Sequence, residues 1–171
     1  MIDGPGTFPD LDPGEPVATP GGHRTVLLLG VPVSRFRSFD MHFDDLVREL
    51  QLIAVGNDQG LDTDARLREL ARGLETGIAN QRRDLTDQLL AAESAGLEEV
   101  DVTLRVGPYA AYAVRALALF VRQTDEHARA GRLLLPPTTT DHRHLLAWVV
   151  DQVTSQTEDG APPVHFAAFP A

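Results

Sequence analysis

The fold is decided by residues 36–50, which read FRSFDMHFDDLVREL. The large apolar side chains in this stretch recur at spacings of 3, 4, 3 and 4 residues, at Phe36, Phe39, Phe43, Leu46 and Leu50. Because this period matches one face of an α-helix, the stretch predicts an amphipathic helix packed in a helical bundle. The polar residues between them are expected to face outward, with Asp44 and Arg48 forming an i,i+4 ion pair.

Two shorter segments predict strands. Residues 26–29 form an apolar run that ends at Gly30 and predicts a buried strand. Residues 100–106 alternate apolar and polar side chains, which is typical of a half-buried strand. Each segment is followed by a proline, Pro32 or Pro108, that can open a helix. The repeated order suggests that the two strands pair with each other at one end of the helices.

Helical spacing continues through the rest of the chain. Leucines and isoleucines predict a second helix from residue 63 to about residue 95, with a kink or break near Gly77. A third helix follows Pro108 and ends at Gly131. A fourth helix places Trp148 beside its inward face, and Thr138 is predicted to cap it in a capping box with Asp141.

The resulting fold class is mainly α (α+β), a bundle of about four helices with two short strands paired at one end. Residues 1–23 are rich in proline and glycine and are expected to be a disordered leader. Residues 24–157 form the helical domain, and residues 158–171 form a Pro-rich apolar tail. Within this tail, Phe166 and Phe169 are available to dock on the helical body.

Composition excludes several kinds of chemistry. The chain has 171 residues and no cysteine, so it has no thiolate nucleophile and no cysteine metal ligand. All fifteen basic residues are arginine, which removes a P-loop lysine and any Schiff-base lysine. A formal net charge of -10 disfavours nucleic acid and anionic membranes as partners. With no recognisable signal peptide, membrane span or cofactor motif, we expect a cytoplasmic protein without a cofactor.

The densest set of candidate metal ligands lies on the first helix. Asp40 and Asp44 share one helix face there, whereas His42 and Asp45 share another. A metal site would therefore need a further ligand such as His127 from another helix. A solvated helix face is the simpler interpretation, so neither metal-ligating nor catalytic residues are predicted, and Arg48 and Glu49 are taken as ordinary surface charges.

A second histidine-rich tract, residues 141–144, reads DHRH. Residues two apart on a helix point in nearly opposite directions, so His142 and His144 are not expected to share a ligand. The tract instead predicts a capped first helical turn with one exposed histidine. His165, in the tail, is predicted to be a lone surface histidine.

A family resemblance rests on the stretch LLGVPV at residues 28–33 and the stretch HFDDLVREL at residues 42–50. Together they resemble the N-terminal regulatory region of some actinobacterial ATP-binding proteins, which are relatives of anti-sigma regulatory factors. Residues 100–108, 125–134 and 143–152 agree with that region in order and spacing. The ATPase N-box and a D-x-G-x-G motif are missing, so the resemblance implies a regulatory module without the ATPase. It carries over no binding residues.

Three functions follow as hypotheses. The first is a non-enzymatic, protein-binding regulatory module in a sigma-factor, stress or developmental switch, and the helical seam also permits a homodimer. The second is a small-molecule sensor whose aromatic side chains enclose an apolar pocket, namely Phe36, Phe39, Phe43, Phe120 and Trp148. The third is a metal-dependent enzyme. The candidate interaction or ligand cluster consists of Asp40, His42, Asp44, Asp45, Arg48, Glu49 and His127.

Overall fold

A computed structural model describes residues 22–56 and 62–170 of the chain. These residues form a mainly helical fold with a two-stranded antiparallel sheet, which confirms the predicted fold class. The elements are β1 (Arg24–Pro32), α1 (Val33–Gly56), α2 (Asp62–Gly77), α3 (Ala79–Ser94), β2 (Glu99–Val106), α4 (Ala110–Arg129) and α5 (Thr140–Thr154). A π-helical turn (Ser155–Asp159) and a 3-10 turn (Phe166–Ala168) follow. Residues 1–21 of the predicted leader lie outside the described residues.

Strand β1 continues through Gly30, where the sequence predicted its end. The register with β2 shifts between Leu28 and Val31, and Gly30 adopts a φ of 67° within this irregularity. The Gly30 N–H donates to the Asp101 carboxylate at 2.8 Å, so this backbone donor has a hydrogen-bond partner although it is not paired with a backbone carbonyl of β2. The strand then ends at Pro32, which has no N–H to donate, and α1 begins one residue later.

Two glutamines close the outer edges of the sheet at one register position, where Leu27 lies opposite Thr103. The Gln156 amide accepts from the Leu27 N–H at 2.9 Å and donates to the Leu27 carbonyl at 2.8 Å. Gln88 of α3 makes the same pair of bonds with Thr103, at 3.2 and 3.1 Å. The glutamines thus occupy main-chain groups that a further strand would use.

The predicted long second helix is broken where its glycines lie. Helix α2 ends at Gly77 and α3 begins at Ala79, and Ile78 between them has a φ of -113° and a ψ of 5°. This confirms the predicted break near Gly77, since glycine lowers the stability of a continuous helix. None of the described helices is long and apolar enough to cross a membrane.

The core lies between the sheet and helices α1 to α5, each of which contributes buried apolar side chains. All five apolar residues of the 36–50 seam are buried, and Phe43 packs edge-on against Phe120 with ring centroids 5.5 Å apart. The tail docks on this body: Phe166 packs edge-on against Trp148 at 5.3 Å, and the Trp148 indole N–H donates to the Val164 carbonyl at 2.9 Å. Both tail aromatics, Phe166 and Phe169, therefore contact the helical domain, as the sequence suggested.

Candidate functional site

The predicted acidic cluster on α1 does not form one site. Arg82 of α3 binds both Asp40 and Asp44, with nitrogen–oxygen distances of 2.6 Å to each. The predicted ion pair between Asp44 and Arg48 is wrong, because packing of α3 against α1 brings Arg82 to Asp44. Arg48 pairs instead with Asp45, at 3.2 Å.

Arg82 links two helices and also covers a core ring. Its guanidinium carbon lies 5.2 Å from the centroid of the Phe43 ring. Burial opposes the charge of Arg82, but the hydrogen bonds to Asp40 and Asp44 outweigh it and raise the pKa of the guanidinium. Beside it lies a groove of about 410 Å³, and its charged lining residues are Asp40, Asp44, Glu75, Arg82, Arg83 and Asp87. The two aspartates are therefore structural partners of Arg82.

Glu49 holds the segment between α4 and α5, residues 130–139, against α1. Its carboxylate accepts the backbone N–H of Leu134 and, at 3.0 Å, that of Leu135. The side chain of Leu134 then points away from the protein and is 98% exposed. Nothing in the sequence marks this contact, because Glu49 follows the pattern of an ordinary surface charge on a helix.

An exposed surface runs along the outer face of α1 beside this leucine. Met41 is 64% exposed and Leu52 is 66% exposed. The ion pair of Asp45 and Arg48 lies between them, at helical spacings that place all four side chains on one face. We call Met41, Asp45, Arg48, Leu52 and Leu134 the α1 stripe. Glu49 follows Arg48 in the helix, and its contact with the Leu134 N–H holds that residue against α1.

Two histidines meet where α1 packs against α5, and we call His42 and His142 the histidine pair. Their ring centroids are 5.9 Å apart. The Nε2 atom of His42 lies 3.3 Å from the Thr138 hydroxyl, and Nε2 of His142 lies 3.1 Å from the Ser38 hydroxyl. Nδ1 of His142 is buried and has no hydrogen-bond partner in the described part of the chain.

Burial lowers the pKa of both members of the histidine pair. For His42, the nearby charges of Asp125 and Asp45 partly offset this effect. For His142, the charges of His42 and Arg35 lower the pKa further, whereas Asp141 raises it. Both rings are therefore held toward the neutral form by their surroundings.

The prediction of one exposed histidine in the 141–144 tract is wrong. His142 is half-buried in the histidine pair. His144 stacks on Phe169, with ring centroids 5.6 Å apart, and its Nε2 lies 3.1 Å from the Pro170 carbonyl. The docked tail covers this residue, and the local sequence pattern does not indicate such a long-range contact.

The predicted capping box of Thr138 with Asp141 is wrong, because the cap of α5 lies one residue later. Thr139 caps α5, and its hydroxyl accepts the His142 N–H at 3.2 Å. Thr138 is instead buried, and its N–H donates to the carboxylate of Asp125 at 2.6 Å. Arg129 and Arg143 also approach this carboxylate, at 3.4 and 3.6 Å.

The remaining candidate ligands lie apart from one another. His127 is buried on α4, with Nδ1 3.5 Å from an Arg132 nitrogen. His165 is not a lone surface residue, because its ring lies against Gly30 and its Nε2 is 3.8 Å from the Glu99 carboxylate. Among residues 22–56 and 62–170, no three histidine or acidic side chains are grouped so as to hold a metal ion.

Fold and surface together define a mainly helical domain with its candidate functional groups on the outer face of α1. Comparison of the chain with protein-family models, with curated proteins and with solved structures found no match. The features available for a functional argument are therefore the α1 stripe, the histidine pair and the contacts that hold residues 130–139.

Proposed function

We propose that this protein is a non-enzymatic protein-interaction module and that the α1 stripe is its docking surface. The observation that carries the proposal is the 98% exposure of Leu134, whose backbone is held in place by Glu49. A single exposed leucine is common on protein surfaces. Here the leucine is fixed by a carboxylate of α1, the helix that also exposes Met41 and Leu52, so we take these three apolar side chains as one docking surface.

Polar residues of the predicted cluster on α1 make contacts that hold the fold together. Asp40 and Asp44 bind Arg82, and Glu49 binds the backbone of residues 134 and 135. A side chain engaged in this way is poorly placed to exchange protons with a substrate. This arrangement favours a binding role over catalysis.

The partner that fits the α1 stripe has an apolar recess for Leu134 and a basic surround. The formal net charge of -10 would steer a basic partner toward this protein. The resemblance to the regulatory region of ATP-binding, anti-sigma-related proteins supports a protein of that type as the partner. It also supports a role in sigma-factor, stress or developmental signalling.

Packing of the aromatic side chains favours a filled core over the small-molecule sensor. Phe120 and Trp148 are fully buried, and Phe43 packs edge-on against Phe120 at 5.5 Å. Phe36 and Phe39 form a further edge-on pair at 6.4 Å. Contacts of this kind stabilise a core directly and need no ligand between the rings.

Site-specific photo-crosslinking in the source cells tests the docking surface. A photoreactive phenylalanine analogue replaces Leu134 in the full chain or, as the matched control, Tyr109, which is 73% exposed at the start of α4. We expect one dominant adduct from position 134 that position 109 does not give. For the purified partner, Leu134→Ser should weaken binding about tenfold or more, because a buried anchor leucine contributes more than about 1.4 kcal/mol.

Four results would contradict the proposal. Equal adducts from both positions would show that Leu134 has no specific partner. Unchanged affinity in Leu134→Ser and in Leu52→Ser would show that the partner binds elsewhere. An adduct with residues 1–21 of the same chain would show that the protein covers this surface itself, and an adduct with a second copy would replace the basic partner by a homodimer.

A further inference from the structure

Helix α1 holds the 130–139 segment at two points with two ionisable side chains. Glu49 accepts the N–H groups of Leu134 and Leu135, and His42 contacts the Thr138 hydroxyl at 3.3 Å. His42 and Glu49 are seven residues apart, about two helical turns, so they lie on the same face of α1. The position of Leu134 therefore depends on one contact in the middle of the segment and another near its end.

We propose that the histidine pair is a proton-sensitive latch, and that protonation of both histidines releases the 130–139 segment from α1. The latch would regulate the α1 stripe, so its biological role rests on the proposed function of that surface. Its physical operation does not, because release of the segment is measurable without any partner.

The surroundings of His142 fit the neutral ring and not the charged one. A charged imidazole carries an N–H on both nitrogens. Nε2 has the Ser38 hydroxyl beside it at 3.1 Å, whereas the buried Nδ1 has no acceptor among the described residues. Charging His142 would thus bury a donor without a partner, which is unfavourable.

Two further features oppose a charge on His142. The residue lies in the first turn of α5, where the helix dipole presents its positive end. Arg35 on α1 adds a positive charge nearby, and Asp141 on α5 offers an opposing negative one. Once His42 is protonated, its charge also repels a proton on the ring 5.9 Å away.

His42 is the better placed of the two rings to take the first proton. The carboxylates of Asp45 on α1 and Asp125 on α4 face it and favour the charged form. Asp125 is shared with the Thr138 N–H and with two arginines, so it neutralises His42 only in part. The two rings therefore titrate as a coupled pair, and the second proton separates α1 from the start of α5. Thr138 immediately precedes the α5 cap residue, so this separation pulls directly on the segment.

Amide hydrogen exchange followed by NMR in the full chain tests the latch. The main readout is the N–H of Leu135, whose acceptor is Glu49 on α1; the N–H of Thr138, whose acceptor is Asp125 on α4, reports whether the end of the segment moves as well. Both rates are corrected for the intrinsic effect of pH on exchange. Because the surroundings lower the pKa of both rings, we expect the protection of these N–H groups to fall about tenfold between about pH 7.5 and about pH 5, with the change below the ordinary histidine pKa. The N–H of Thr103, bound to Gln88 on the far side of the sheet, should stay within about twofold.

Substitutions separate the latch from general acid sensitivity. His142→Phe keeps an aromatic ring against Phe39, 5.8 Å away in the native protein, but cannot take a proton. It should keep the protection of the Leu135 N–H across the whole pH range, whereas the matched control His144→Phe should lose it as the native protein does. His42→Gln retains a group that can hydrogen-bond Thr138, so it gives a second uncharged variant if His142→Phe does not fold.

Unchanged protection in the native protein, or the same loss of protection in the two uncharged variants, would overturn the latch. Such a result would leave the docking surface intact, because crosslinking from Leu134 is measured at a single pH. Conversely, failure of crosslinking would remove the docking surface and leave the exchange result standing. If both proposals are correct, the crosslinking yield at position 134 falls on acidification.

Discussion

Replacement of Gly30 by alanine is the sharpest test of how the tail is held on the sheet. Gly30 has a φ of 67°, and the ring of His165 lies where its side chain would be. A Cβ atom at this position would overlap the Cε1 and Nε2 atoms of His165. The alanine therefore has an unfavourable backbone conformation and a steric conflict with the docked tail.

Gly96 allows the two effects to be separated. Its φ of 71° is nearly the same, but nothing lies within 4 Å of a Cβ built there. Gly96→Ala should thus show the backbone effect alone, about 1 kcal/mol of lost stability. Gly30→Ala should add about 1 kcal/mol for displacing the partly exposed ring of His165, for a total of about 2 kcal/mol. The ring of His165 can swing aside, but it then loses its hydrogen bond from the Ala167 N–H.

The assay is urea unfolding followed by the fluorescence of Trp148, the single tryptophan of the chain. Trp148 contacts the tail through Phe166 and Val164, so its emission also reports displacement of the tail in the folded state. In a His165→Ala background the conflict is gone, and Gly30→Ala should then cost about 1 kcal/mol, as Gly96→Ala does. Equal effects of the two glycine substitutions in the native background would refute this reasoning, and so would a Gly30→Ala effect that persists unchanged without His165.

Three further predictions concern stability. Gln156→Ala removes both hydrogen bonds at the edge of β1 and should lower the free energy of unfolding by about 1 kcal/mol. The control Gln51→Ala, on the exposed face of α1, should change it by less than about 0.5 kcal/mol, and equal urea midpoints of the two variants would contradict the edge-closing role. Arg82→Ala leaves the carboxylates of Asp40 and Asp44 without their shared partner and should lower the free energy of unfolding by about 2 kcal/mol. The neighbouring Arg83→Ala should lower it by less than about 0.5 kcal/mol, and similar melting temperatures of the two variants would show that the bridge is dispensable. Burial lowers the pKa of both histidines of the pair in the native state, so the unfolded chain binds more protons than the native one as the pH falls below the ordinary histidine value of 6.5. Thermal melts should therefore show the melting temperature decreasing below this pH, and decreasing less steeply in His142→Phe.

The local pattern of the sequence was sufficient for most of the fold. The 3- and 4-residue spacing of large apolar side chains predicted the buried face of α1. The glycine at position 77 predicted the break between α2 and α3, and alternation over residues 100–106 predicted β2. These features depend on residues close to one another in the chain, so the sequence contains the information directly.

The polar contacts were not predictable in the same way. Glu49 and Leu134 are separated by 85 residues, and Gln156 and Leu27 by 129 residues. Before packing is known, such side chains resemble any solvated polar residue, because the choice of partner depends on how the helices come together. Even the cap of α5 was predicted one residue early, since Thr138 and Thr139 offer the same hydroxyl and only the packing around them, which engages Thr138 with Asp125 and His42, distinguishes them.

The candidate docking surface therefore depends both on the helical period of α1, which is local in sequence, and on a contact between residues far apart in the chain. The period that buries one face of α1 also fixes which side chains lie on the opposite face, and the structure exposes Met41 and Leu52 there. Leu134 belongs to the surface only because Glu49 fixes its backbone. A glutamine at position 49 keeps the shape of the side chain and weakens the two charge-assisted bonds, so it would loosen Leu134 while leaving Met41 and Leu52 in place. The surface is thus a property of α1 and the 130–139 segment together, and neither part presents it alone.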